Sequence, residues 1–393
     1  MNGSWSKISL LFLLVIALVG TLMRLSPFLH LPLAYDHLLH AHSHTAFQGW
    51  VYTAMMLLLA NLFLSKEQIQ TGKYALQFKL TVVVIVGVLV TFAMQGYGLY
   101  SIICSTLFQL LNYWFIFRFF KDARQLPDSI SLRWVKTGLW LGLLSSLAPF
   151  AIGTLSAKGM GGSEAYQSAV YFFLHFQYNG WFQFVAVGLF FKWLEMDGVS
   201  FDIKNAKRFH GLFTIAVIPA YLLSLLEMSF GRVVWVPAAM AALLQILGLL
   251  AFYRMMDGSA KPWFSTKNNW VQAFLWIAAG SFFLKYSLQL LSVFPPIQEV
   301  AFSNRNLIIG YLHLCLLGVI TCFFIALFFE LKWLELRKAT KIGSALFLIG
   351  FLATEALLGA SGMGWGSALM PLLLFSGLMA VGIPCFLTRA NMR

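Results

Sequence analysis

The chain has 393 residues, of which 60% are hydrophobic and only 10% charged, with 27 Lys and Arg against 14 Asp and Glu. A soluble domain carries about 25% charged residues, so this chain has too little charge to cover a water-facing surface, which excludes an ordinary soluble protein. The net charge of +13 raises nucleic acid as a partner, and the placement of the charges argues against it.

A spanning helix needs about 20 mostly apolar residues. The first apolar run, 8–29, follows Lys7 and exceeds the roughly 7–15 residues of a signal-peptide core, so a retained span is expected there. Further runs predict helices at 40–64, 76–96, 98–120, 133–155, 165–193, 208–229, 233–255, 268–292, 304–330, 341–360 and 366–388, with Gly96 and Gly98 supplying the turn between the third and fourth. The expected fold is all-α: a polytopic bundle of about twelve transmembrane helices, one transmembrane domain over 1–393, with the lipid bilayer as its main partner. No internal repeat is read. Cys104, Cys315, Cys322 and Cys385 all lie in apolar runs, which argues against a disulfide framework.

With the N-terminus inside, only Arg24, Lys158, Arg232, Lys285 and Arg305 fall on the outer side. Every other Lys and Arg, down to Arg389 and Arg393, falls on the inner side. Basic residues concentrate on cytoplasmic loops, so both termini are expected in the cytoplasm and the chain in the inner cell membrane. The basic excess is then a topology signal, and no nucleic-acid partner is needed.

Eight histidines are present, and five draw attention. His40, His42 and His44 open the second helix in Asp36-His-Leu-Leu-His-Ala-His-Ser-His44; His175 lies in the sixth; His313 lies in the tenth. Helix starts at Asp36, Ser163 and Ser303 put His44, His175 and His313 roughly 12, 18 and 15 Å along helices that all enter from outside. Three separate helices thus deliver imidazole to one outer layer of the membrane. His37, His40 and His44 share one helical face that Gln48 continues, while His42 points elsewhere. His30 sits in a loop, and His210 belongs to the opposite side.

Ionisable residues within membrane helices mark function, and imidazole serves as a metal ligand or an axial haem ligand. Gln177, Tyr178, Asn179, Tyr311, Glu227, Lys285 and Glu355 accompany the histidine layer. Arg305, about two turns from His313, suits a haem propionate or a plain snorkelling role. A secondary transporter using Glu355, Lys285 and the histidines as a relay, and an accessory subunit without cofactor, are the alternatives.

Histidines in helices two, six and ten of twelve resemble subunit I of haem–copper oxidases and nitric oxide reductases. That resemblance implies a low-spin bis-histidine haem held by His44 (or His42) and His313, and copper on His175 with His40 or His42 nearby. Phe172-Phe-Leu-His175-Phe-Gln-Tyr178 is similar to the family's helix-six text. The chain departs from the family in having Tyr311-Leu-His313 where His-x-His stands, and in lacking the adjacent His-His pair. A proton-pumping oxygen reductase is therefore not expected. His42-Ser-His44-Thr-Ala-Phe-Gln-Gly49-Trp50 resembles the His-x-His…Gly-aromatic signature of NnrS proteins, twelve-helix haem- and copper-containing membrane proteins linked to nitric oxide stress. Electron transfer with a redox partner, or a nitric oxide response, is what the two resemblances imply.

Overall fold

The computed structural model describes residues 3–366 and 368–388. Arg389, Arg393 and the side chain of Arg232 lie outside that description. Among the described residues every regular element is a helix. The long helices, numbered in chain order, are α1 (Gly3–Leu25), α2 (Tyr35–Phe63), α3 (Tyr74–Gln95), α4 (Leu99–Asp122), α5 (Ile130–Ala157), α6 (164–196), α7 (Ile203–Val217 with Pro219–Leu225), α8 (Arg232–Met256), α9 (Asn269–Leu291), α10 (Arg305–Glu330), α11 (Lys338–Gly362) and α12 (Leu369–Leu387).

Ten of these helices are long and apolar enough to cross a membrane. The two departures from the expected list have local causes. α7 is bent by 46° at Pro219, where proline supplies no N–H and Tyr221 N–H bonds instead to the Ile218 carbonyl at 3.2 Å. α6 runs unbroken from Glu164 to Met196, but His175, Gln177, Asn179 and Gln183 make its middle polar. Every residue from His175 to Leu189 is nevertheless buried.

Helix ends follow local capping rules. The Ser163 hydroxyl accepts the Tyr166 N–H at 3.2 Å and starts α6 at the residue the sequence indicated. α10 starts one residue later than expected. Ser303 closes a short helix (Pro295–Ser303), and Asn304 caps α10 by accepting the Asn306 N–H at 2.9 Å. Gly96, at φ +59°, ends α3 in a conformation that disfavours other residues, and Gly98 begins α4.

The chain divides into two compact units, 1–126 with 324–393, and 127–323, the boundary falling inside α10. In the first unit α2 packs on α3 through Ala41, Val88 and Phe92. In the second, Trp134 of α5 meets Phe184 of α6 and Phe209 of α7 at 4.9 and 4.7 Å between ring centroids. The second unit also holds an aromatic cage for a lysine. Lys267 Nζ lies 2.6 Å from Asp197 Oδ2 and sits 5.1 and 5.4 Å from the ring centroids of Trp193 and Trp263, whose Nε1–H donates to the same carboxylate at 2.7 Å.

Removing one partner of such a pair leaves a charge short of hydrogen bonds. Lys267→Met is expected to cost about 2 kcal/mol, less than a fully buried pair because Asp197 is 26% exposed. Thermal melts in detergent should show a lowered midpoint, and the further change Asp197→Asn should recover part of it.

Candidate functional site: histidines at three π-helical segments

Three π-helical segments occur among the described residues: Ala46–Tyr52 in α2, His175–Trp181 in α6 and Leu314–Thr321 in α10. They fall in the three helices that carry the histidine layer. His44 stands two residues before the first, His175 opens the second, and His313 immediately precedes the third. Each histidine is followed five residues later by glycine, at Gly49, Gly180 and Gly318. A Cβ on Gly49 would come within 3.0 Å of the Phe12 ring of α1, and one on Gly180 within 3.1 Å of Leu141 of α5. In both cases the glycine allows the helix to press on its predecessor.

A π segment inserts one residue and displaces carbonyls from their usual partners. Lipid offers no replacement, so side chains must supply it. Thr53 donates its hydroxyl to the Gly49 carbonyl, and Thr321 donates to the Leu316 carbonyl at 2.8 Å. The three helices are also interior ones. In α2 and α10, 72% and 78% of the apolar window is buried, against 28–44% in the other eight candidate spans.

In the first unit, the ring of His42 lies on Gly20 of α1, where a Cβ would meet His42 Cε1 at 3.0 Å. Its Nδ1 is 2.9 Å from the Ile16 carbonyl. A carbonyl can only accept, so Nδ1 carries the proton and donates. Nε2 then keeps its lone pair, and it makes no hydrogen bond to a described residue. Metal-bound histidines are commonly oriented this way, one nitrogen donating to a carbonyl and the other facing the metal.

His44 is differently engaged. Its ring stacks on Phe92 of α3 at 4.2 Å and 15°, and Nε2 is 2.9 Å from the Tyr97 hydroxyl. His40 meets the Tyr97 ring edge-on at 4.6 Å, and a Cβ on Gly96 would strike His37 at 2.7 Å. The stripe of His37, His40 and His44 therefore faces the end of α3. Gln48 is inside the π segment, where the regular helical register that would extend the stripe no longer holds.

In the second unit, His175 is 1% exposed. Its Nε2–H donates to the Val217 carbonyl at 2.7 Å, and Nδ1 accepts from Asn179 Nδ2 at 3.2 Å. Val217 precedes the Pro219 bend, and the Tyr221 N–H that would have served its carbonyl is used by Ile218. His175 thus repairs the bend in α7. His313 is half-buried at the last α-helical position before its π segment, and Arg305 is exposed at the start of α10. His210 lies 3.1 Å from the Thr137 hydroxyl of α5.

Glu355 of α11 and Arg24 of α1 interact electrostatically in the first unit. Partial burial of Glu227, in the turn after α7, pushes its pKa above the ordinary carboxylate value, with Glu299 adding to the shift. Among the described residues no three His, Cys, Asp or Glu side chains are grouped as a metal site would need. Sequence reasoning named Asn179 but missed Tyr97 and the carbonyls of Ile16 and Val217, since no local signal marks a carbonyl that a distant ring will reach.

No protein-family model matches this chain, and no curated protein matches it.

Removing the donor on Val217 leaves a buried carbonyl unpaired, a loss of about 1–3 kcal/mol. His175→Leu should lower the thermal midpoint accordingly, and His175→Gln, which keeps an N–H donor, should recover part of the loss. Equal midpoints for Leu and Gln would show that the Val217 contact carries no stability.

Proposed function

We propose that this is a twelve-span protein of the inner cell membrane, termini in the cytoplasm, that binds haem, copper or both through histidines of α2, α6 and α10, and serves electron transfer or a nitric oxide response. The observation that carries the reading is the coincidence of a π-helical segment with each of the three helices, α2, α6 and α10, that bring histidines into the layer. π segments concentrate at functional sites, and a polar irregularity inside lipid is retained at a cost.

The residues fit haem better than copper. A haem axial position needs one nitrogen lone pair per histidine, and the orientation of His42 by the Ile16 carbonyl supplies one. His44 would have to release the Tyr97 hydroxyl, and His175 would have to exchange Asn179 at Nδ1 while keeping its donation to Val217. His42 is therefore the preferred haem ligand in α2, with His44 second. His313 is the corresponding residue of α10, and Arg305 is the cation for a propionate. Bound haem would supply a one-electron couple shielded by an apolar surround.

The test is a reduced-minus-oxidised spectrum with metal analysis on protein from haem-replete cells. A Soret band is expected, with His42→Ala and His313→Ala each lowering haem content about tenfold or more. Gly20→Ala, which displaces the His42 ring without removing it, should lower it as well. Protein free of both Soret absorption and copper would end the proposal.

A further inference from the structure

His40 and His44 stand four residues apart on the regular α-helical part of α2, Tyr35–Thr45, so their rings leave the same side of the helix. Two histidines at that spacing are a helical arrangement for holding zinc. The turn Gly96-Tyr97-Gly98, between α3 and α4, lays a phenol against both. The Tyr97 ring lies 4.6 Å from the His40 ring and 5.7 Å from the His44 ring between centroids, and its hydroxyl is 2.9 Å from His44 Nε2. The His40 ring makes no hydrogen bond to a described residue. Asp36, one turn earlier, is in electrostatic range of His40, and His40 is in range of His44. Tyr97 is 58% exposed, which gives an ion a way in.

The spacing suits a shared cation. Around a tetrahedral zinc with bonds of about 2.0–2.1 Å, two ligand atoms stand roughly 3.3 Å apart. The Tyr97 oxygen and His44 Nε2 are already close to that separation. The phenol also supplies the third ligand that His, Cys, Asp and Glu side chains do not bring together among the described residues.

We propose that His40, His44 and Tyr97 form a zinc site in the first unit, with water in the fourth position. Zinc takes the place of the proton shared by Tyr97 and His44, and that proton passes to solvent. The site takes up His44 and leaves His42 to the role proposed above, so it does not depend on the haem reading.

The test is zinc binding to the full-length protein in detergent, measured by competition with a chromophoric chelator, with haem content read on the same samples. One zinc per chain is expected. His40→Ala and His44→Ala should each weaken binding about tenfold or more, and Tyr97→Phe, which keeps the ring and its packing, should do the same. X-ray absorption at the zinc edge should show two imidazoles in a shell of nitrogen and oxygen at about 2.0–2.1 Å. Wild-type protein that binds no zinc, or variants that hold it as tightly without the His40 ring or the Tyr97 hydroxyl, would overturn the proposal. Protein that lacks haem yet binds zinc through these residues would leave it standing and sink the haem reading alone.

Discussion

Inside lipid every backbone N–H and C=O must find a partner within the protein, and the irregular parts of this chain are arranged around that requirement. Most helices meet it with their own ladders. Among the described residues, the three π segments and the proline bend of α7 are places that do not. Thr53 and Thr321 donate to carbonyls in two of the π segments, and His175 donates to Val217 at the bend. The polar residues that make α6 the least apolar of the long helices are thus partly explained by backbone accounting.

The same accounting orients two of the histidines. Ile16 O and Val217 O each hold one ring nitrogen as a donor, which fixes the tautomer and leaves the other nitrogen with a lone pair. At His42 that lone pair meets no hydrogen-bond donor among the described residues; at His175 it accepts from Asn179. A structural role and a ligand role are therefore not exclusive. A ring anchored by a carbonyl is also a ring aimed for coordination, and the difference lies in what stands opposite the second nitrogen. Gly20 contributes by absence, since only a residue without Cβ lets the imidazole lie close enough to reach the carbonyl one turn earlier.

Much of this was legible in the amino-acid order. Long apolar runs located the helices, because a spanning helix needs little beyond sufficient apolar length. Ser163 and the Gly96–Gly98 turn acted through local geometry, and both stand where the sequence indicated. Less legible was the shared spacing of His44–Gly49, His175–Gly180 and His313–Gly318. It is too sparse to stand out as a repeat until the π segments align it. The different engagement of His42, on the Ile16 carbonyl, and His44, on Phe92 and Tyr97, was not legible at all.

Composition and the placement of apolar runs, by themselves, determined that this chain needs a membrane, since those properties add up residue by residue along a helix. They also determined which three helices bring imidazole inside. The tertiary structure alone decided which imidazole nitrogen is engaged and by what. The partners that settle it, Ile16 for His42 and Val217 for His175, lie 26 and 42 residues away, and a carbonyl's availability depends on helix packing and bending rather than on the identity of its side chain.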